Sequence, residues 1–214
     1  MPVAIPDAVL QIDGAILLFI QNNLRSPALT PFFKAVADYG VIVLGVYVAL
    51  MLLWEKRRIF PVASACVVSG LLGNFLKDYL KKLILRPRPF LEVPSLVPAV
   101  KKVPKGFSFP SGHTTLAFSV AFIISRILPK RYSIPAFLIA ALVAFSRLYL
   151  GVHYPTDILG GICIGYVAGL VTDFLYKRYC SHYLYHKELN YERNIYPRRH
   201  YQTGSGCHRQ CGQQ

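Results

Sequence analysis

Five apolar runs, each bounded by charges or prolines, constrain this 214-residue chain more than any other feature. They occupy residues 35–54, 59–76, 114–128, 133–150 and 158–176. A bilayer core of about 30 Å takes roughly 20 mostly apolar residues per helix. Inside lipid a segment must satisfy its own backbone polar groups, so runs of this kind predict helices. Residues 8–20 form a sixth apolar stretch, shorter and interrupted by Asp13. It reads as a short span or as a helix lying in the interface. The predicted fold is therefore all-α: a polytopic transmembrane helical bundle with five spans plus a short first helix, six helices in total. The chain is 54% hydrophobic and 16% charged, against about 45–50% and 25% in soluble domains. That balance speaks against a soluble globule and against disordered or collagen-like chains.

The second run carries Ser64, Ala65, Ser69, Gly70 and Gly73, small residues that allow close helix packing. The last carries Gly161, Gly165 and Gly169 at four-residue spacing, which suits packing within the bundle or, alternatively, dimerisation. Trp54, beside the charged cluster 55–58, is placed as an interfacial anchor. Five cysteines, an odd number, include Cys66 and Cys163 inside apolar runs, so no disulfide framework is implied. The first cation is Arg25, and the N-terminus has no basic region of a cleavable signal peptide. Residues 1–180 read as the membrane-embedded domain and residues 181–214 as a polar, disordered tail. That tail holds Cys207, His208 and Cys211, with Cys180, His182 and His186 nearby, in a spacing unorthodox for structural zinc. No metal is expected there.

Charge adds direction. Lysine and arginine number 24 against 10 acidic residues, a formal net charge of +14. In a membrane protein this points to anionic headgroups or a phosphorylated substrate rather than to nucleic acid. The short basic segments at 56–58 and 130–131, with Lys177 and Arg178, are cytoplasmic by the positive-inside rule. The interruption at 77–110, with six prolines and eight cations, then faces outward with the turn at 151–157. Its cations are better explained as ligands for an anion. Prolines at that density predict no long helix across 77–110. The localisation expected is a multi-pass cell-membrane protein with its site on the outer face; oligomeric state stays open.

Alternation of the spans brings three polar clusters to that one face. Arg147 ends an otherwise apolar span, where a cation marks a functional cavity or snorkels to headgroups. His153 and Asp157 are four apart around Pro155, which suits the first turn of a helix. The carboxylate there could fix the imidazole tautomer, or act only as a helix cap. Ser111, Gly112 and His113 precede the third span, a helix start that offers an anion site or a simple N-cap. Arg86 and Arg88 stand in the stiff segment Arg86-Pro87-Arg88-Pro89, matched to phosphate oxygens or merely solvated. Jointly these residues form an oxyanion site suited to phosphoryl transfer through a histidine nucleophile.

Lys81-x6-Arg88-Pro89, Pro110-Ser111-Gly112-His113 and Ser146-Arg147-x5-His153-x3-Asp157, in that order, resemble the three-part signature of the type 2 phosphatidic acid phosphatase superfamily. The motifs span residues 77–157, and the helix plan extends the resemblance to about 10–176. It implies a metal-free, cofactor-free phosphohistidine mechanism. His153 would be the nucleophile, Asp157 its orienting partner, and His113 the general acid and then base. Lys81, Arg88, Ser111, Gly112 and Arg147 would bind the phosphoryl oxygens, with Arg86 and Lys82 as supporting field or headgroup contacts. The compact size and the run GFSFPSGH are most similar to bacterial undecaprenyl diphosphate and phosphatidylglycerophosphate phosphatases. The resemblance implies a lipid phosphate or diphosphate as substrate. A lipid phosphotransferase using the same site is the first alternative. A non-enzymatic transporter of phosphorylated lipids is the second, disfavoured because binding alone needs no carboxylate-paired histidine.

Overall fold

The computed structural model describes residues 6–54, 59–100 and 102–195, of which residues 59 and 180–195 are described by backbone alone. The chain divides into two units, Met1–Tyr176 and Lys177–Gln214. Among the described residues there is no strand. The helices are α1 (Asp7–Phe19), continued by a π-helical turn over Ile20–Leu24, then α2 (Thr30–Trp54), α3 (Ile59–Ile84), the single turn α4 (Pro89–Glu92), α5 (Gly112–Ile127), α6 (Lys130–Tyr149) and α7 (Pro155–Ile195). Six exceed ten residues, as the sequence predicts. Four are long and apolar enough to cross a bilayer, and α5 is a shorter apolar helix.

Helices α2, α3, α5 and α6 enclose the main core, in which Leu44, Val62, Ala117, Ala121, Ile124, Ala140 and Val143 are buried. The opposite faces stay apolar: Leu50 and Leu53 on α2, Leu71 and Phe75 on α3, Leu138 on α6 and Phe174 on α7 are exposed. A surface of large exposed apolar residues on helices of this length is one that lipid covers. Trp54, at the end of α2, is exposed as an interfacial anchor would be.

Three boundaries differ from the sequence reading. Helix α3 runs to Ile84, eight residues into the stretch predicted to interrupt it. The first proline lies at Pro87, so nothing in residues 77–84 breaks the backbone ladder, and Lys77 and Lys81 stand one turn apart. Helix α5 begins at Gly112, so His113 sits inside its first turn. Helix α7 starts at Pro155, within the range predicted, and continues past Tyr176 to Ile195, beyond the tail boundary drawn at 180. Loss of apolar residues ends the hydrophobic span there without ending the helix. The rest of the expected tail, with Cys207, His208 and Cys211, lies outside the described residues, as do the side chains of Cys180, His182 and His186.

The glycine stripe of α7 packs inside its own unit. A Cβ at Gly165 would lie 2.8 Å from the Ser119 backbone nitrogen and 2.9 Å from Phe118 Cβ. One at Gly169 would lie 2.9 Å from Phe122 Cβ. Small residues here let α7 approach the backbone of α5, the bundle-packing alternative. Helix α1 lies at the end of the bundle where α6 stops. Leu17 packs with Leu96 and Tyr154, and Arg25 donates to the Tyr149 carbonyl at 2.8 Å. Ile12, Ile16 and Phe19 are exposed on its other face. Helix α1 thus buries one face against the bundle and exposes an apolar face opposite.

Candidate active site

The end of α3, the starts of α5 and α7, and the end of α6 meet at that same end of the bundle. Between them lies a cavity of about 370 Å³ lined by Lys77, Lys81, Arg88, Gly112, His113, Arg147 and His153. Six of the eight residues singled out from the sequence therefore share one cavity. A second space of about 580 Å³ adjoins it through Pro104, Arg147 and Val152, and also carries Lys34, Asp38 and Lys102. Among the described residues no group of three or more His, Cys, Asp or Glu side chains is arranged to hold a metal ion.

Local geometry accounts for where each cation sits. Lys81, in the last turn of α3, donates to the Phe107 carbonyl at 3.0 Å. Arg88 follows the helix end and is pinned to the backbone: its Nε donates to the Gly106 carbonyl and its Nη1 to the Val152 carbonyl, both at 3.0 Å. Arg147 is anchored to the Ala37 carbonyl of α2, and its buried Nε has no partner within the protein. A guanidinium held by one donor keeps its others for an oxyanion. Gly151 has a φ of +70°, which closes the tight turn from α6 towards α7. Two residues on, that turn delivers His153 into the cavity.

His153 is only 4% exposed. Its Nδ1 lies 3.4 Å from Oδ2 of Asp157, which is itself fully buried. The Tyr154 backbone N–H donates to the same oxygen at 2.8 Å, and the Ser108 hydroxyl donates to it closely. Burial holds the imidazole below the ordinary histidine value, against the pull of the Asp157 carboxylate. A neutral ring that donates through Nδ1 carries its lone pair on Nε2.

Two predicted residues sit behind this surface rather than on it. Asp157 lies beneath His153. Ser111 is fully buried; its hydroxyl accepts from Thr114 at 3.0 Å, its carbonyl accepts from Thr115 Oγ1 at 2.9 Å, and its N–H donates to the Asp157 carbonyl at 3.1 Å. Sequence reasoning missed Lys77, Ser108 and Asp13, and for Arg86 it left open a supporting field or a headgroup contact. Arg86 is not a headgroup contact but is 3% exposed. It bridges Asp157 Oδ1 at 2.9 Å and Asp13 Oδ2 at 2.6 Å. The Tyr154 ring lies 3.8 Å from its guanidinium carbon. An acidic residue inside an otherwise apolar stretch was the available signal for Asp13.

A paired, buried histidine facing three cations is the kind of arrangement that suits an oxyanion. Residues 58–179 match the PAP2 superfamily. The lipid A 4'-phosphatase of Porphyromonas gingivalis is 31% identical over 80% of this chain and 74% of its own length. The undecaprenyl-diphosphatase BcrC of Bacillus subtilis is 30% identical over 68% of this chain and 69% of its own. The crystal structure of a transmembrane PAP2-type phosphatidylglycerolphosphate phosphatase from Bacillus subtilis superposes with a TM-score of 0.61. It is 28% identical, covering 81% of this chain and 88% of that one. The chain belongs to the PAP2 superfamily, among its membrane phosphatases of lipid phosphates.

Proposed function

We propose that the protein hydrolyses a lipid phosphate or diphosphate, of the undecaprenyl diphosphate or phosphatidyl phosphate kind, through a phosphohistidine and without a metal ion. The observation that carries this reading is the His153–Asp157 pair opening onto the cavity of Lys81, Arg88 and Arg147. His153 Nε2 attacks phosphorus as the bond to the leaving oxygen breaks, and His113 gives that oxygen a proton. Water then attacks the phosphohistidine, His113 takes its proton, the P–N bond breaks and inorganic phosphate leaves.

Phosphoryl-transfer transition states spread negative charge over the equatorial oxygens, so positioned cations do most of the work. Lys81, Arg88 and Arg147 supply three, and the Gly112 backbone supports them. Asp157 stabilises the cationic imidazole that forms. The adjoining 580 Å³ space receives the remainder of the headgroup, and the positive-inside pattern supports a site on the outer face.

The test is phosphate release by purified protein in detergent with chelator present. Undecaprenyl diphosphate, phosphatidate and phosphatidylglycerophosphate serve as substrates, beside His153→Ala. Release that disappears in the variant is expected. Release retained by His153→Ala sinks the nucleophile assignment, and activity restored only by added metal refutes the metal-free route.

A further inference from the structure

We propose that Asp13, acting through Arg86 and Thr156, is a positioning residue for the Asp157 carboxylate, so that docking of α1 completes the nucleophilic site. The proposal rests on the phosphohistidine reading above. Arg86 Nη1 donates to Asp157 Oδ1 at 2.9 Å and to Thr156 Oγ1 at 2.6 Å, while Nη2 donates to Asp13 Oδ2 at 2.6 Å. The Thr156 backbone N–H donates to Asp13 Oδ1 at 3.2 Å, and its hydroxyl donates closely to Oδ2. Asp13, Arg86 and Asp157 are each no more than 3% exposed.

The arithmetic of charge gives this network its meaning. An arginine bound to Asp157 alone would cancel the negative charge that His153 needs beside it. Sharing the guanidinium with a second carboxylate leaves part of the Asp157 charge to the imidazole. Asp13 also fixes Thr156, the residue before Asp157, through backbone and side chain together. The other charged or titratable groups around His153 are Lys77 and Lys81 of α3, Arg88 beyond its end, His113 of α5 and Arg147 of α6. The lysines and arginines oppose a positive imidazole, as does His113 in its proton-donating form, so the Asp13–Arg86–Asp157 balance is what offsets them.

The experiment uses full-length protein in detergent, with Asp13→Asn and the double variant Asp13→Asn/Arg86→Gln. Each is assayed for kcat, KM and the pH profile of kcat/KM on whichever lipid phosphate the wild type hydrolyses, with thermal unfolding measured in parallel. Asp13→Asn should lower kcat about tenfold or more with KM nearly unchanged, and move the acid limb to lower pH. The double variant removes the cation as well, so its limb should move the opposite way, to higher pH. Substrate ionisation is common to all three proteins and cancels in the comparison. An unmoved limb in either variant that folds overturns the proposal, whatever happens to stability. No hydrolysis by the wild type overturns the phosphatase reading and this inference with it; hydrolysis with unmoved limbs overturns the inference alone.

Discussion

His153 shows how one residue's surroundings set its chemistry. Burial lowers its proton affinity, which favours the neutral ring that the proposed nucleophile needs. The acid limb of kcat/KM should therefore lie below about 6.5, the ordinary histidine value. A pH–rate profile half lost at or above that value would contradict the assignment. The stability sign is the same: the folded state binds its proton less readily than the unfolded chain. The contribution is whole above the unfolded value and is lost as pH falls below it towards the folded one. Asp157→Asn removes the group that opposes burial, so the limb should move lower still while kcat drops by roughly 10²–10⁴-fold. Residues of this kind were legible in the sequence because their types and spacings are dictated by the chemistry. Asp13 and Arg86 were not, because the two ends of their ion pair stand 73 residues apart and no local pattern joins them.

At the scale of elements, hydrophobic runs located the four long apolar helices and the shorter α5, but the helix ends followed backbone chemistry that hydropathy does not register. Residues 77–84 continue α3 because they contain no proline, and this places Lys77 and Lys81 on the cavity. The α5–α7 packing depends on missing side chains instead. Gly165→Val would put a branched carbon against the backbone of α5, where even a Cβ stands 2.8 Å from Ser119 nitrogen. Overpacking of this sort costs about 1–3 kcal/mol. Thermal unfolding in detergent should show the loss, and a variant as stable as wild type would mean the helices part without penalty. The stripe was visible in the sequence, yet only the neighbouring backbone distinguishes packing within the bundle from packing between copies.

For the whole molecule, every residue assigned to the site belongs to the unit Met1–Tyr176. Removing residues 181–214 should leave phosphate release unchanged, measured per mole of folded protein; a collapse in rate would show that the second unit contributes to turnover. Asp13→Ala tests the opposite end of the chain. It leaves Arg86 paired with Asp157 but strips the acceptor from Arg86 Nη2 and from the Thr156 N–H and hydroxyl, and each unsatisfied buried donor costs about 1–3 kcal/mol. Unfolding should therefore occur at markedly lower temperature than in wild type.

That ion cluster also bears on the order in which the chain is made. Asp13 is synthesised before its partners Arg86 and Thr156, which follow 73 and 143 residues later. A carboxylate without a partner is costly in hydrocarbon, and the partners of Asp13 are supplied only by the end of α3 and the start of α7. A segment made early is thus completed late: the ion cluster exists whole only in a chain synthesised through the first turn of α7.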